Sequence, residues 1–464
     1  MKNMTLSNIA AACNGQLIAF DKNTNKEVSG VVIDSRLVED NFLFIATTGE
    51  RVDGHDFIES AFEKGASAVL CEKALEDPER PYILVEDSFL ALRQIATWYR
   101  MQLDIKVVGI TGSVGKTSTK EFVSSVISQK YKVLKTEGNF NNEIGLPLTV
   151  LRLRNEHEIA VLEMGINHFG EMHRLSEIAK PDIILITNIG DSHLEYLGSR
   201  EGVLKAKTEI FDFMKDDGKV ILNGNDDMLA TIQEVKGQKT IFFGIPDKSS
   251  LNGSTLDIFA ENINSKGLLG STCLIKFKNQ KSQAIKVNIP IPGHHMIDNA
   301  LAAAGAGLAL GIPSQMISKG IEEVQSLEGR NNIILLDKYT IIDDCYNANP
   351  SSMKAALDLL DMADTRKVAI LGDMGELGDD QVSLHKEIGK YFTTKKIDIL
   401  VAIGPLSKNI YDEALDSTGE LYYYENKEEF IQSFPTILAE GDTILIKASN
   451  YMGFKEIVDI IVNS

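Results

Sequence analysis

Cysteine is scarce in this chain. Cys13, Cys71, Cys273 and Cys345 lie far apart and include no CxxC pair, which argues against a zinc ribbon and against a disulfide framework. Proline is also sparse at 11 residues, and no biased tract occurs, so a collagenous, disordered or coiled-coil chain is excluded. No run of about 18 apolar residues is present, as a membrane span would require. The N-terminal MKNMTLSNIAAACNGQLIAF lacks a basic segment followed by a long apolar one. Basic residues are outnumbered, 47 Lys and Arg against 66 Asp and Glu, and the net charge of −19 provides no general electrostatic footprint for nucleic acid or an anionic membrane. Any phosphate must be captured locally. The chain reads as a soluble, unexported protein of the cytoplasm with reduced thiols. With no obvious self-complementary apolar stripe, it also reads as a monomer.

What is present is a repeated alternation of strands and helices. The 464 residues are about three times a typical domain, so two or three domains are expected. Residues 31 to 103 alternate short apolar runs (VVIDS, FLFIA, SAVLC, YILVE) with helical stretches and close on FLALRQIATWYRMQ. At Ile105 a second alternation starts with KVVGIT and continues through KVLKT, EIAVLEM, DIILITNI and KVILN. Residues 251 to 290 read as antiparallel strands, and HHMIDNALAAAGAGLAL as the helix after them. A third alternation runs from about Leu327. The pattern predicts an α/β protein of three domains: a small N-terminal α/β domain (1–104), a central doubly wound, P-loop ATPase-like domain with an antiparallel add-on (105–326), and a C-terminal Rossmann-like domain (327–464).

The strongest local signal is GITGSVGKTSTK, residues 109 to 120, between an apolar strand and a helix. Gly109, Gly112 and Gly115 free the backbone so that N–H groups and the helix N-terminus can converge on phosphate. Lys116 adds a point charge and Thr117 a hydroxyl suited to Mg²⁺. The strict GxxxxGK[ST] spacing is missed, because Ile110 stands where that pattern wants glycine, and GxGxxG does not occur here. Glu163 ends the strand EIAVLEMG and His193 follows DIILITNIGDSH. Both therefore fall at the carboxyl edge of the sheet beside the loop, where α/β folds bind ligands. A carboxylate there suits Mg²⁺, whereas His193 reads equally as a hydrogen-bonding side chain or as a ligand. Lys205 and Lys207 share the helix GVLKAKTEIFDFM, where lysines ordinarily form a solvated face. Two positions turn the helix by about 200°, so the two cannot serve one site.

Nine segments in one order, GITGSVGKTSTKE, NFNNEIGLPLTVL, EMGINHFGEM, TNIGDSHLEYLGS, KAKTEIF, GHHMIDNALAA, EGR, DDCYNANPSSMKAAL and LGDMGELG, resemble the Mur ligases from about Asp34 to Ala448. The resemblance implies an ATP- and Mg²⁺-dependent amide ligase that activates the carboxylate of a UDP-N-acetylmuramoyl-tripeptide as an acyl phosphate and joins it to D-alanyl-D-alanine. It implies that Thr111, Gly112, Ser113, Gly115, Lys116 and Thr117 bind ATP, that Thr117 and Glu163 hold one Mg²⁺, and that His193 helps hold a second. Lys207 matches a lysine carbamylated in the family, and its carbamate would be a further metal ligand. Asn299 matches the residue that hydrogen-bonds adenine, and Arg330 and Asp344 match residues that reach phosphate and ribose when the C-terminal domain closes. Ser35, Arg36 and Arg51, with His55 nearby, resemble the uridine-diphosphate contacts. Asn141, Asn142, Asn347 and Asn349, within matching segments, are expected at the substrate.

The chain departs from the family pattern at Val114 and Ser118, beside the phosphate contacts, and at KASN (447–450), where the family has KGSR. An arginine role there cannot be carried over. Three other readings compete: the family ligase that adds the third amino acid, a folylpolyglutamate synthetase, and a non-catalytic nucleotide-binding protein. The DDCYNANPSSM run, the absence of a DNPR-like motif, the DSR-type start and the ordered Glu163, His193 and Lys207 favour the dipeptide ligase.

Overall fold

The computed structural model describes residues 1–18, 26–49, 52–75, 80–246, 256–278 and 284–464. Its strands fall into three principal sheets, one for each alternation in the sequence. In the first, four parallel strands at Gly30–Val32, Phe42–Ile45, Ala68–Cys71 and Tyr82–Leu84 are joined by an antiparallel edge strand, Gln16–Ile18.

The second sheet has nine strands. Lys106–Thr111 lies third from one edge, parallel to Ile159–Glu163 on one side and to Ile183–Ile186 on the other. Apolar residues occupy both faces of these strands, as sheets covered by helices on both sides require. Parallel pairing sets the carboxyl ends of these three adjacent strands side by side, so the loop after Thr111, Glu163 and the segment after Ile186 share one edge. The expected antiparallel add-on is present as Ile258–Ser265, Ser271–Phe277 and Ala284–Ile289. It is continuous with the parallel strands, because Ile258–Ser265 pairs in parallel with Ile241–Gly244.

In the third sheet the hairpin of Asn332–Leu335 and Thr340–Asp343 leads into parallel strands Thr443–Lys447, Lys367–Gly372, Ile399–Ile403 and Glu420–Tyr424. The last of these, and the helices Lys408–Glu413 and Lys427–Ile437 beside it, are additions to the elements expected from the sequence.

One hydrophobic core runs without interruption from Met4 and Ile9 through Leu92 and Tyr99 to Leu162, Leu175 and Leu222, linking the first two sheets. Polar contacts reinforce that joint. The buried Arg100 guanidinium donates to the carbonyls of Ala179, Leu103 and Ile105, Tyr99 Oη donates to Leu153 O at 2.7 Å, and Arg154 reaches Ser29 O at 2.8 Å. The third sheet buries its two faces in separate clusters of its own.

Candidate active site

The phosphate loop is held by the neighbouring strand end. Ser113 N donates to Asn188 O (3.0 Å) and Val114 N to Asn188 Oδ1 (3.0 Å), while Val114 O accepts from Thr187 Oγ1 (2.6 Å) and Asn188 Nδ2 (3.0 Å). The Val114 departure is therefore harmless to loop shape, since the anchoring uses backbone atoms. Gly112 and Gly115 have φ of +150° and +79°, values that L side chains adopt only with strain. A Cβ at Gly112 would also meet Thr187 Oγ1 at 1.9 Å. Gly115 caps the helix Lys116–Ser128, whose unsatisfied N–H groups and positive dipole end face the loop. Lys116 Nζ folds back onto Gly112 O (2.9 Å). Burial lowers its pKa, Glu163 opposes that shift, and Arg330 reinforces it.

Behind the lysine, Thr117 Oγ1 and Asn141 Nδ2 both donate to Glu163 Oε1, at 3.1 and 2.8 Å. Glu163 Oε2 is buried without a hydrogen bond, its nearest cation being the buried Lys120 at 3.8 Å. An ionised oxygen left in this way is costly unless something binds it. Thr117 and Glu163 thus present the hard oxygens that a magnesium ion requires.

Lys205 and Lys207 lie on the helix Arg200–Thr208, which stops earlier than the sequence pattern indicates and passes into a 3₁₀ turn, Glu209–Phe211. The half-turn between the lysines separates them as expected. Lys205 is exposed over the Phe169 ring, whereas Lys207 is fully buried and its Nζ has no hydrogen-bond partner. Burial, aided by Lys116, pushes its pKa well below the usual lysine range. A solvated helix lysine is excluded.

A cavity of about 730 Å³ opens in front of the loop. It is lined from the central sheet by Ser113, Lys116, Thr117, Asn141, Asn142, Glu163, His193 and Asn299, and from the C-terminal unit by Arg330, Asp344, Asn347, Asn349 and Glu376. Asn299, on the helix His295–Ala309, accepts from Thr119 Oγ1 at 2.9 Å. Arg330 stacks its guanidinium 3.9 Å from the Tyr346 ring centroid. Asp344 accepts from Asn331 N (3.1 Å) and Lys447 Nζ (2.6 Å), and Lys447 also donates to Asn347 O (2.9 Å). The family resemblance has Arg330 and Asp344 approach only on closure. Here they line the same cavity as Lys116, and Arg330 is near enough to act on its charge.

Several expected contacts have other duties. Thr111 and Gly112 do not line the cavity: Thr111 Oγ1 is spent on Met164 O (2.8 Å), and Gly112 packs on Thr187. Asn142 Oδ1 caps a helix start through Gly145 N (2.8 Å). Asn349 Oδ1 caps Pro350–Asp361 through Ser352 N (2.9 Å). Ser35 and Arg36 lie away from this cavity. Arg36 forms a bidentate pair with Asp34, and Ser35 is buried with its carbonyl accepting from Lys64. Both His55 ring nitrogens are used, toward Asp53 and Glu72 N. Arg51 lies outside the described residues.

Thr187, Asn188, Glu376 and Lys447 also line the cavity, although the sequence pattern does not single them out. Thr187 and Asn188 carry a signal, a Thr-Asn pair ending a strand beside the loop. Lys447 carries a weaker one, a cation closing an apolar strand. Replacing Lys447, 2% exposed, by methionine leaves Asp344 without its cation in a largely dry setting. A loss of roughly 3 kcal/mol in chemical denaturation is expected, and a loss under 1 kcal/mol would show that the pair is dispensable.

A phosphate loop, a carboxylate beside a hydroxyl for a divalent cation, and a second α/β unit facing them define a nucleotide-dependent phosphoryl-transfer site. The chain matches the Mur ligase family catalytic domain over residues 27–97, the Mur ligase middle domain over 110–307 and the Mur ligase glutamate ligase domain over 329–450. It is 38% identical to the UDP-N-acetylmuramoyl-tripeptide–D-alanyl-D-alanine ligase of Bacillus subtilis, over 100% of this chain and 99% of that protein. Among solved structures it is similar to MurF from Acinetobacter baumannii (TM-score 0.89, 32% identity, 99% of each chain) and to the MurF ligase from Thermotoga maritima in complex with ADP (TM-score 0.80, 27% identity, 94% of this chain and 97% of that one). The chain belongs to the Mur ligase family and is a ligase.

Proposed function

We propose that this enzyme joins the terminal carboxylate of a UDP-N-acetylmuramoyl-tripeptide to the amine of D-alanyl-D-alanine with cleavage of ATP to ADP and phosphate, a step of peptidoglycan precursor synthesis. One observation carries the reaction class. Lys116, Thr117 and Glu163 from the central sheet and Arg330 and Asp344 from the C-terminal unit line one cavity, so two substrates can meet at a nucleotide. A free carboxylate resists attack by an amine, and transfer of the γ-phosphoryl group gives an acyl phosphate with phosphate as leaving group. The amine nitrogen then bonds to the acyl carbon, phosphate departs, and the amine loses a proton.

The loop N–H groups and Lys116 hold the β and γ phosphates, Asn299 meets the adenine, Arg330 screens the transferred phosphoryl group, and Asp344 meets the ribose. Magnesium, when bound, neutralises crowded oxygen charge. Thr117 and Glu163 would hold it, with His193 at a second ion. A carbamate on Lys207 supplies the additional oxygens, and the buried, unpartnered Nζ supports this reading because carbamates form from neutral amines. The domains are taken as 1–104, 105–326 and 327–464, a division supported by the grouping of the strands into three principal sheets. The N-terminal domain takes the UDP end, near Ser35, Arg36 and Arg51. The enzyme acts in the cytoplasm as a monomer; among the described residues no helix is long and apolar enough to cross a membrane.

Phosphate release tests the whole reading. Release is expected with ATP only when UDP-tripeptide and D-alanyl-D-alanine are both present. Stimulation by a free amino acid with a UDP-dipeptide would assign the third-residue ligase instead, and release that ignores both acceptors would leave a simple ATPase. Running the diaminopimelate and lysine forms of the tripeptide side by side fixes the third residue.

A further inference from the structure

His193 and Glu376 come from different units of the chain and meet over the cavity, with His193 Nδ1 2.8 Å from Glu376 Oε2. Both residues have positive φ, +55° and +59°, a conformation costly for side-chain-bearing residues that persists where the surroundings enforce it. For Glu376 the enforcement is visible. Its loop is pinned by Met374 N donating to the buried His385 Nε2 (2.9 Å), by Gly375 N donating to Ser449 Oγ (2.8 Å), and by Ser449 N donating to Asp373 O (3.0 Å). The carboxylate is therefore delivered by the rigid third sheet. Two residues on, a Cβ at Gly378 would stand 3.4 Å from Glu195 Cα, so the same loop abuts the helix that His193 begins.

The contact is at ion-pair distance without hydrogen-bond alignment; a carboxylate beside Nδ1 still favours one facing of the imidazole and leaves Nε2, which no described residue hydrogen-bonds, turned away from Glu376 as a candidate cation ligand. We propose that Glu376 is a positioning residue that acts through His193. By engaging Nδ1 across the joint it orients the imidazole toward the metal and phosphate region, and the same contact holds the C-terminal unit closed. The histidine is thus presented correctly only when the cavity is shut, which couples closure to chemistry. The inference rests on the ligase reading above and adds to it a residue outside the expected set.

Three measurements decide it. Glu376→Ala should lower kcat about 10- to 100-fold with KM for ATP changed less than about threefold, and Glu376→Gln, whose amide oxygen keeps an acceptor beside Nδ1, should recover most of that loss. In a His193→Ala background, Glu376→Ala should cost less than about twofold more, because its partner is gone. Small-angle scattering with a non-hydrolysable ATP analogue plus UDP-tripeptide should give a larger radius of gyration for Glu376→Ala than for the wild type. Unchanged turnover, multiplicative losses in the double variant, a Gln variant as impaired as the Ala variant, or an unchanged radius of gyration would each overturn the proposal. Failure of the ligase reading would register separately, as a wild-type enzyme without acceptor-dependent phosphate release.

Discussion

Lys116→Ala is expected to slow ligation about a thousandfold, roughly 4 kcal/mol of transition-state stabilisation, with the fold retained. The size follows from position. The ammonium sits at the start of the helix Lys116–Ser128, half-buried, and its contacts are backbone carbonyls of its own loop. Nothing in the fold depends on it, so its removal costs mainly the charge that meets the developing phosphoryl oxygens. Steady-state phosphate release checks the rate, and a thermal scan close to that of the wild type checks the fold. A variant within tenfold of the wild type would remove Lys116 from the phosphate site.

Lys207→Ala is expected to be nearly inactive, with at least a hundredfold loss of the order seen when metal ligands are compromised. An ammonium beside bound cations would repel them, whereas a carbamate reverses the sign and offers two hard oxygens. The absence of any hydrogen-bond partner for Nζ leaves no structural duty that would explain such burial. Short carboxylates such as formate or acetate should restore part of the Lys207→Ala activity by filling the vacated volume with oxygens. Lys205→Ala should keep most of its activity, because Lys205 points to solvent. A carbonyl NMR signal from protein equilibrated with ¹³C-bicarbonate should appear in the wild type and be lost in Lys207→Ala. Normal ligation by Lys207→Ala, or electron density for a bare ammonium beside bound magnesium and nucleotide, would defeat the carbamate assignment.

The features legible in the sequence are those in which chemistry and periodicity coincide. The strands Lys106–Thr111 and Ile159–Glu163 are apolar runs that end in a polar residue, Thr111 or Glu163, and that residue pattern is enough to place the loop and Glu163 at one edge. Helix geometry narrows the choice between Lys205 and Lys207 to one of the two, and burial selects Lys207. Glu376 is not legible, because what makes it special is a loop held by His385 and Ser449, whose distance in sequence leaves no local trace. Asn142 and Asn349 carry a double signal: asparagine beside a helix start serves as a cap through Oδ1, and both also line the cavity. Arg36 finds a counterion two residues away in Asp34, a partner that the DSR run itself holds, and its side chain stays exposed. The strand Glu420–Tyr424 is hard to read because its aromatic run lies half-buried at a sheet edge, without alternation.

The continuous core beneath the first two sheets also bears on how affinity is divided among the substrates. If the N-terminal sheet receives the UDP moiety as proposed, that moiety docks on a surface bolted by Arg100, Tyr99 and Arg154 to the sheet carrying the phosphate loop. Its binding then orders little protein and escapes most of the entropic cost that flexible sites incur. The ordering cost falls on the step that recruits the C-terminal unit, whose core is separate. Nucleotide and acceptor therefore carry the conformational work, and the sugar-nucleotide end behaves as a passive anchor that fixes where the reacting carboxylate waits.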